Sequence, residues 1–199
     1  MSKAGSLLVL AALTALIAGL TWALQQQAAP RIQAQQQAIQ TRALAQVLPA
    51  GEYEQTPLAL SAEPLSHSSL THGYRMLQQG QPVAVILQSR TQGYGGPIEL
   101  LIGIGANGKL LGVKTLSHTE TPGLGGKIAE EGSAWLRGFL GTSRNEPPDT
   151  AWELKKDGGQ FDQMAGATIT SRAAINTIHD ALRYFDEHRD QLLGGGAHE

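Results

Sequence analysis

The sequence predicts an α+β protein: a single N-terminal transmembrane helix followed by a domain with an antiparallel sheet and flanking helices. Three observations carry that prediction. Gly5 to Leu24 is uncharged and rich in Leu and Ala, four apolar segments between Tyr74 and Leu116 are joined by short Gly- or Asn-containing turns, and Ile175, Ile178, Leu182 and Phe185 recur at helical spacing near the end. At 199 residues and 41% hydrophobic content, the chain suits one soluble domain plus a small appendage. A formal charge of -2 and the lack of any basic run argue against a nucleic-acid partner, because binding a phosphate backbone needs clustered cations. The chain has no cysteine, which excludes disulfides, thiolate catalysis, iron–sulfur ligation and cysteine zinc sites without fixing the compartment.

In chain order, the apolar run of 5–24 is interrupted only by Ser6, Thr14 and Thr21. Twenty helical residues span about 30 Å, the thickness of the hydrocarbon core of a bilayer. The run exceeds a signal-peptide core and lacks a clean small-x-small site before its Gln-rich flank, so an uncleaved anchor over 1–25 is expected. Trp22 suits an interfacial position, and Lys3 favours a cytoplasmic N-terminus although Arg31 weakens that bias. From 26 to 50, Pro30 suits a helix start, and Ile32, Ile39, Ala43 and Val47 share one stripe, ended by Pro49 and Gly51. This reads either as an amphipathic stalk or as a helix of the domain core. The domain itself is expected over 51–190 and a flexible tail over 191–199. Glu52 to Gly73 carries little periodicity, and its two isolated histidines, His67 and His72, do not make a metal site.

Tyr74 to Leu77 and Val83 to Leu87 read as a hairpin around Gln79-Gly80-Gln81-Pro82, and Ile98 to Ile104 pairs with Leu110 to Leu116 across Ala106-Asn107-Gly108. Between the hairpins, Gly93-Tyr94-Gly95-Gly96-Pro97 allows a close backbone approach. After the last strand comes Ser117-His118-Thr119-Glu120-Thr121-Pro122-Gly123-Leu124-Gly125-Gly126-Lys127, expected to enter a helix carrying Ile128, Trp135, Leu136 and Phe139. A Gly-rich loop opening a helix exposes N–H groups to a planar or phosphorylated ligand, yet this spacing is neither a Walker loop nor a Rossmann fingerprint. Arg144 to Thr150 reads as an exposed loop, and Trp152 to Lys155 as a short strand before the Lys156-Asp157-Gly158-Gly159-Gln160 turn.

The chain is organised around Asp162-Gln163-Met164-Ala165-Gly166-Ala167-Thr168-Ile169-Thr170-Ser171. A Gly-Ala turn and three hydroxyls precede the closing helix, with Ser171 expected as its N-cap. The unpaired N–H groups and positive dipole end of that helix would face the turn and offer a phosphate site. By geometry alone the stretch is also consistent with a plain connection.

The Asp-x-x-Ala-Gly-Ala-Thr-x-Thr pattern resembles the flavinylation motif of the G subunits of Rnf (Rsx) electron transport complexes and the C subunit of the sodium-pumping NADH:quinone reductase. The Glu-Thr-Pro-Gly-Leu-Gly loop and Trp-x-x-Lys-Lys-Asp-Gly-Gly-x-Phe-Asp-Gln are similar to the same G subunits, and the likeness is strongest from His118 to Ile178. The resemblance implies an FMN-binding domain with FMN joined to Thr168 through a phosphoester. It further implies flavin contacts from Gly166, Ala167, Thr170, Ser171, Glu120, Thr121, Gly123, Leu124 and Gly125. Lys127 is either another contact or a solvated lysine at a helix start, and Asp162 is implied as a recognition residue for the flavin transferase. Ala165 departs from the family, which carries Ser or Thr there.

The implied role is electron relay in an Rnf-type complex coupling transfer between ferredoxin and NAD to ion movement. The chain would sit in a bacterial inner membrane, with the main domain in the periplasm and the other subunits, the transferase and the lipid bilayer as partners. An anchor without intramembrane charge offers no ion pathway of its own. Two other readings are a membrane-anchored FMN-binding regulatory or sensor domain, and a hydrolase using Thr168, Ser171 or Ser117 with His118 and Asp162.

Overall fold

The computed structural model describes residues 43–44, 46–61 and 65–194, together with Leu13, Thr14, Leu16 and Gly19. The chain divides into two units, Met1–Arg42 and Ala43–Glu199. In the first, the four described residues are helical and exposed; the rest of the expected anchor, the start of the expected stalk and the residues 195–199 of the expected tail lie outside the described residues. Among the described residues, no helix is long and apolar enough to cross a membrane.

The second unit is built on five antiparallel strands in sequential order: β1 (Glu54–Leu58), β2 (Ser69–Gln78), β3 (Gln81–Gln92), β4 (Pro97–Gly105) and β5 (Leu110–Ser117). Gln79 and Gly80 both take positive φ in the β2–β3 turn, as a two-residue hairpin matched to strand twist requires. The β4–β5 turn closes with Gly108 N donating to Gly105 O at 2.8 Å. The expected hairpins are therefore present, and β1 and the start of β2 are added from the stretch that carries little periodicity.

The middle of β3, Val83 to Leu87, and β4 after Glu99 are continuously apolar because both faces of the sheet are covered there, which leaves no solvated face to demand polar alternation. On one face, Val85, Leu87, Leu100, Ile102 and Ile104 pack with Ile175, Ile178, Ala181, Leu182 and Phe185 of the helix α2 (Thr168–Glu187). On the other, Ala84, Ile86 and Leu101 meet Leu44, Val47 and Leu48. The helical residues 43, 44, 46 and 47 thus belong to the folded unit, which begins ahead of the boundary expected at 51. Gly103 and Gly112 make this possible, since a Cβ at either would run into the Val47 backbone.

Three local expectations are corrected. The helix expected after Lys127 is two short pieces, a 3-10 turn (Gly125–Ala129) and α1 (Ala134–Arg137), because Gly132 takes φ 63 and Ser133 starts a new helix by accepting from Leu136 N at 3.5 Å. The strand expected at Trp152 to Lys155 is a single parallel bridge, Leu154 to Phe161, flanked by 3-10 turns at Asp149–Ala151 and Lys155–Asp157. Gly158, at φ 95, and Gly159, pressed against the Glu153 backbone, fold the chain back before a ladder can extend. The first residues of the expected tail are folded: α3 (Arg189–Leu193) buries Leu192, and Arg75 Nε donates to Leu192 O at 2.6 Å.

The connection between β1 and β2 is fastened to α2 by polar groups. Asp180, 3% exposed, accepts from His67 N at 2.8 Å and Ser68 Oγ at 3.1 Å, and Tyr184 Oη accepts from Ser61 N at 2.9 Å. A buried carboxylate with those donors holds an otherwise irregular segment in place.

Candidate functional site

Ser171 is not the N-cap of α2. The helix begins at Thr168, and Ser171 lies inside its first turn, where its hydroxyl donates to Ala167 O at 2.8 Å and accepts from Met164 N at 3.0 Å. A serine hydroxyl can close such a local loop onto the preceding turn as readily as it caps a helix. The consequence is that Thr168 itself sits at the positive end of a 20-residue helix, among N–H groups that lack intrahelical acceptors.

Three connections converge there. The turn Thr121-Pro122-Gly123-Leu124 closes with Leu124 N on Thr121 O at 3.2 Å, and φ 76 at Gly123 suits its third position. Leu124 reaches Gly166, which has φ 71 and where a Cβ would lie 2.9 Å from Leu124 Cδ2. The β3–β4 loop joins through Glu120, whose Oε1 accepts from Gly95 N at 2.9 Å while Oε2 accepts from Thr170 Oγ1 at 2.5 Å. Thr119 Oγ1 adds a bond to Gly95 O at 3.0 Å. Glu120 is 6% exposed, so a single buried carboxylate ties the glycine loop, the post-sheet loop and the start of α2 together. Cβ atoms on Gly93 or Gly125 would collide with that carboxylate.

The result is a cleft of about 330 Å³ lined by Tyr94, Glu120, Thr121, Leu124, Gly125 and residues 166–170. Its rim carries three exposed apolar side chains, Tyr94 at 74%, Leu124 at 44% and Ile169 at 52%. Exposed large hydrophobes gathered on one concavity mark a surface that binds a partly apolar ligand or partner. Three other clefts are larger, about 390 Å³ beside β5, about 400 Å³ around His179 and about 490 Å³ around Ser69 and Arg90, so size alone does not identify the site. What distinguishes this one is the half-buried Thr168 hydroxyl, which donates to Gln163 Oε1 at 2.9 Å and accepts from Lys156 Nζ at 3.2 Å.

Of the residues singled out in the sequence, Glu120, Thr121, Leu124, Gly125, Gly166, Ala167, Thr168 and Thr170 line this cleft. Gly123 shapes the turn, Ser171 holds it from beneath, and Lys127 is not among the lining residues. Asp162 lies outside as well. Its carboxylate pairs with Lys155 Nζ at 2.6 Å and its carbonyl accepts from Trp135 Nε1 at 2.6 Å. Lys156, Gln163, Tyr94 and Ile169 carry no sequence signal for this role, because nothing in the local pattern says that a lysine twelve residues earlier folds back onto the hydroxyl. The hydrolase reading has no geometric support: the partners of Thr168 Oγ1 are an amide oxygen and an ammonium, and Ser171 Oγ is spent on backbone groups, so neither hydroxyl has a base.

The fold and this cleft define a class. The sequence profile of the FMN-binding domain matches residues 93–183, from the glycine loop to the body of α2. The curated relatives narrow it. The G subunit of an ion-translocating oxidoreductase complex from Pseudomonas aeruginosa (strain UCBPP-PA14) is 45% identical over 88% of this chain and 85% of that protein. Those of Cereibacter sphaeroides (strain ATCC 17029 / ATH 2.4.9) and Vibrio cholerae serotype O1 (strain M66-2) are 43% and 39% identical, covering 75% and 94% of this chain and 69% and 90% of those proteins. The chain belongs to the family of ion-translocating oxidoreductase complex G subunits. The crystal structure of Shewanella oneidensis NqrC aligns with a TM-score of 0.46 at 19% identity over 61% of this chain and 60% of that one.

Proposed function

We propose that this chain is the flavoprotein subunit of an Rnf-type ion-translocating complex, carrying FMN covalently on Thr168 and relaying electrons between other subunits. The observation that carries the reading is the placement of the Thr168 hydroxyl at the positive end of α2, in a cleft lined by Gly125, Gly166, Glu120, Thr121 and Thr170 and rimmed by apolar side chains. These residues fit the group. Gly125 and Gly166 let the loops pack against Glu120 and Leu124 as the cleft needs, Tyr94, Leu124 and Ile169 offer apolar surface to a ring system, and the helix end favours an anionic phosphate.

FMN, when bound, supplies one- and two-electron chemistry that no side chain of this protein provides. The protein contributes position and charge. Attachment requires that the Thr168 hydroxyl pass its proton to a base of the flavin transferase, since the chain's own contacts supply none, and form an Oγ1–P bond as a phosphoanhydride bond in the donor flavin nucleotide breaks, the remaining nucleotide leaving. Gln163 holds the hydroxyl hydrogen and thereby fixes which lone pair faces the incoming phosphorus. The resulting tether keeps the cofactor from dissociating, which suits a domain held outside the cytoplasm by an N-terminal anchor. Membrane attachment through residues 1–25, a stalk beginning at 26 and a periplasmic main domain are parts of the same proposal, as are Asp162 as a transferase recognition residue and the other members of the complex as partners.

Intact mass and peptide mapping of membrane-purified protein test the reading: FMN on the peptide containing Thr168 supports it, and an unmodified peptide in a host with a competent transferase refutes it. Co-purification with membrane redox subunits separates the relay from a regulatory flavoprotein.

A further inference from the structure

Lys155, Lys156 and Asp157 form one 3-10 turn, and each of the three reaches a different point on the segment 162–172. Lys155 Nζ pairs with Asp162 Oδ2 at 2.6 Å, Lys156 Nζ donates to Thr168 Oγ1 at 3.2 Å, and Asp157 Oδ2 accepts from Arg172 Nη2 and Nε at 2.8 and 3.1 Å. The outer two contacts are ion pairs. The middle one is not: among the described residues, Lys156 has no carboxylate partner, although Asp157 is its neighbour in sequence and Asp162 pairs with the lysine beside it. Both of those carboxylates are taken. A cation gains much less from a neutral hydroxyl than from an anion, so the ammonium is held next to Thr168 with its charge uncompensated. Thr168 sends its own hydrogen to Gln163, which leaves an oxygen lone pair for Lys156.

We infer that Lys156 is the built-in counter-ion of a phosphodiester on Thr168, with Lys155–Asp162 and Asp157–Arg172 as the two staples that hold its turn against the acceptor segment. The inference rests on the reading that Thr168 carries FMN and deepens it by naming what the chain does with the phosphate. A phosphodiester keeps one negative charge, and that charge completes the pairing left open at the middle of the turn. Lys156 acts as a positioning residue. It draws the flavin phosphate, rather than the ring, to the hydroxyl, and adds a localised charge to the diffuse one at the start of α2. Neither lysine lines the cleft itself, but Lys156 reaches the Thr168 hydroxyl from beside it, whereas Lys127, the cation singled out in the sequence, does not.

The test uses the full chain, its purified flavin transferase and flavin adenine dinucleotide as donor, with attachment followed by intact mass. Lys156→Gln slows attachment about tenfold, Lys156→Arg stays within about threefold of wild type, and Lys109→Gln, a surface lysine paired with Glu146 at 3.7 Å, leaves the rate unchanged. Raising salt slows wild type more than Lys156→Gln. Lys156 is exposed, so melting temperatures stay equal and loss of fold is not an explanation. In the mature proteins, the phosphorus-31 resonance of the diester moves between wild type and Lys156→Gln and stays put in Lys109→Gln. A Lys156→Gln protein attached at the wild-type rate overturns the inference. So does slow attachment with an unmoved resonance, which assigns Lys156 to the grip of the transferase. If wild type itself carries no flavin on Thr168, the functional reading and the inference fall together; if wild type is modified and Lys156→Gln is indistinguishable from it, only the inference falls.

Discussion

The two ends of α2 are built on different principles. From Ala174 to Phe185 the inward face is apolar and sealed: Ala174, Ile178 and Ala181 are 0% exposed, and Ile175, Leu182 and Phe185 are 1%. In the first turn, Ile169 is 52% exposed, and Thr168, Thr170 and Ser171 each spend their hydroxyl on a named partner from another loop or from the turn below. Packing energy therefore anchors the far part of the helix on the sheet, while hydrogen bonds aim its near end at the cleft. Stability and chemistry are separable along one element, and substitutions divide accordingly.

The largest separation comes from Thr168→Val. It removes the acceptor oxygen, so the flavin-fluorescent band on a denaturing gel is lost completely, while urea denaturation of the apoprotein moves by less than about 0.5 kcal/mol because the residue is half-exposed. Phe185→Ala does the reverse. Emptying the space of a 1%-exposed ring against Leu87 and its neighbours costs about 3–5 kcal/mol in urea denaturation, and whatever protein still folds retains its acceptor hydroxyl. Glu120→Ala bridges the two regions: it leaves Gly95 N and Thr170 Oγ1 without an acceptor, lowers stability by about 1–3 kcal/mol and slows flavin attachment by releasing the glycine loop. An unchanged attachment rate in that variant would separate the loop from the site.

The smallest effect is a pH dependence from the middle of α2. His179 stacks on Trp152 at 4.8 Å and meets Asp149 at 3.1 Å; burial lowers its pKa below the ordinary 6.5, and the bond to Asp149 opposes that shift. Because the folded value is the lower one, the unfolded chain takes up the proton first. The contribution of His179 is thus full above 6.5 and declines as pH falls through the folded value. His179→Gln makes the melting temperature fall less between neutral pH and about pH 5 than in wild type, an effect below about 1 kcal/mol. An identical slope in both proteins would place the titration elsewhere.

Much of this is legible in the chain because it is local. Hairpins over Tyr74 to Leu116 follow from apolar runs broken by Gly80 and Asn107-Gly108, and the helix through Ile175 to Phe185 follows from its spacing. Eight of the residues that the family resemblance implied for the site line one cleft. Ser171 reads as a cap and is not one, because capping and back-bonding use the same hydroxyl and differ only in where the helix starts. Helix continuity through Gly132 and a strand at Trp152 fail for a related reason: short apolar stretches are compatible with several backbones until a neighbour decides.

Composition and periodicity alone thus determined the strand count to within one, the closing helix and the lack of thiol chemistry, while the threonine on which the reading turns came from the motif's resemblance to a family. Only the tertiary structure decided that Glu120 joins three loops, that Leu44, Val47 and Leu48 cover the outer face of the sheet, and that Lys156 rather than Lys127 stands at the Thr168 hydroxyl. The physical reason is that periodicity encodes which face of an element is buried, whereas which side chain meets which across long separations depends on how the elements pack, and packing is a property of the whole chain.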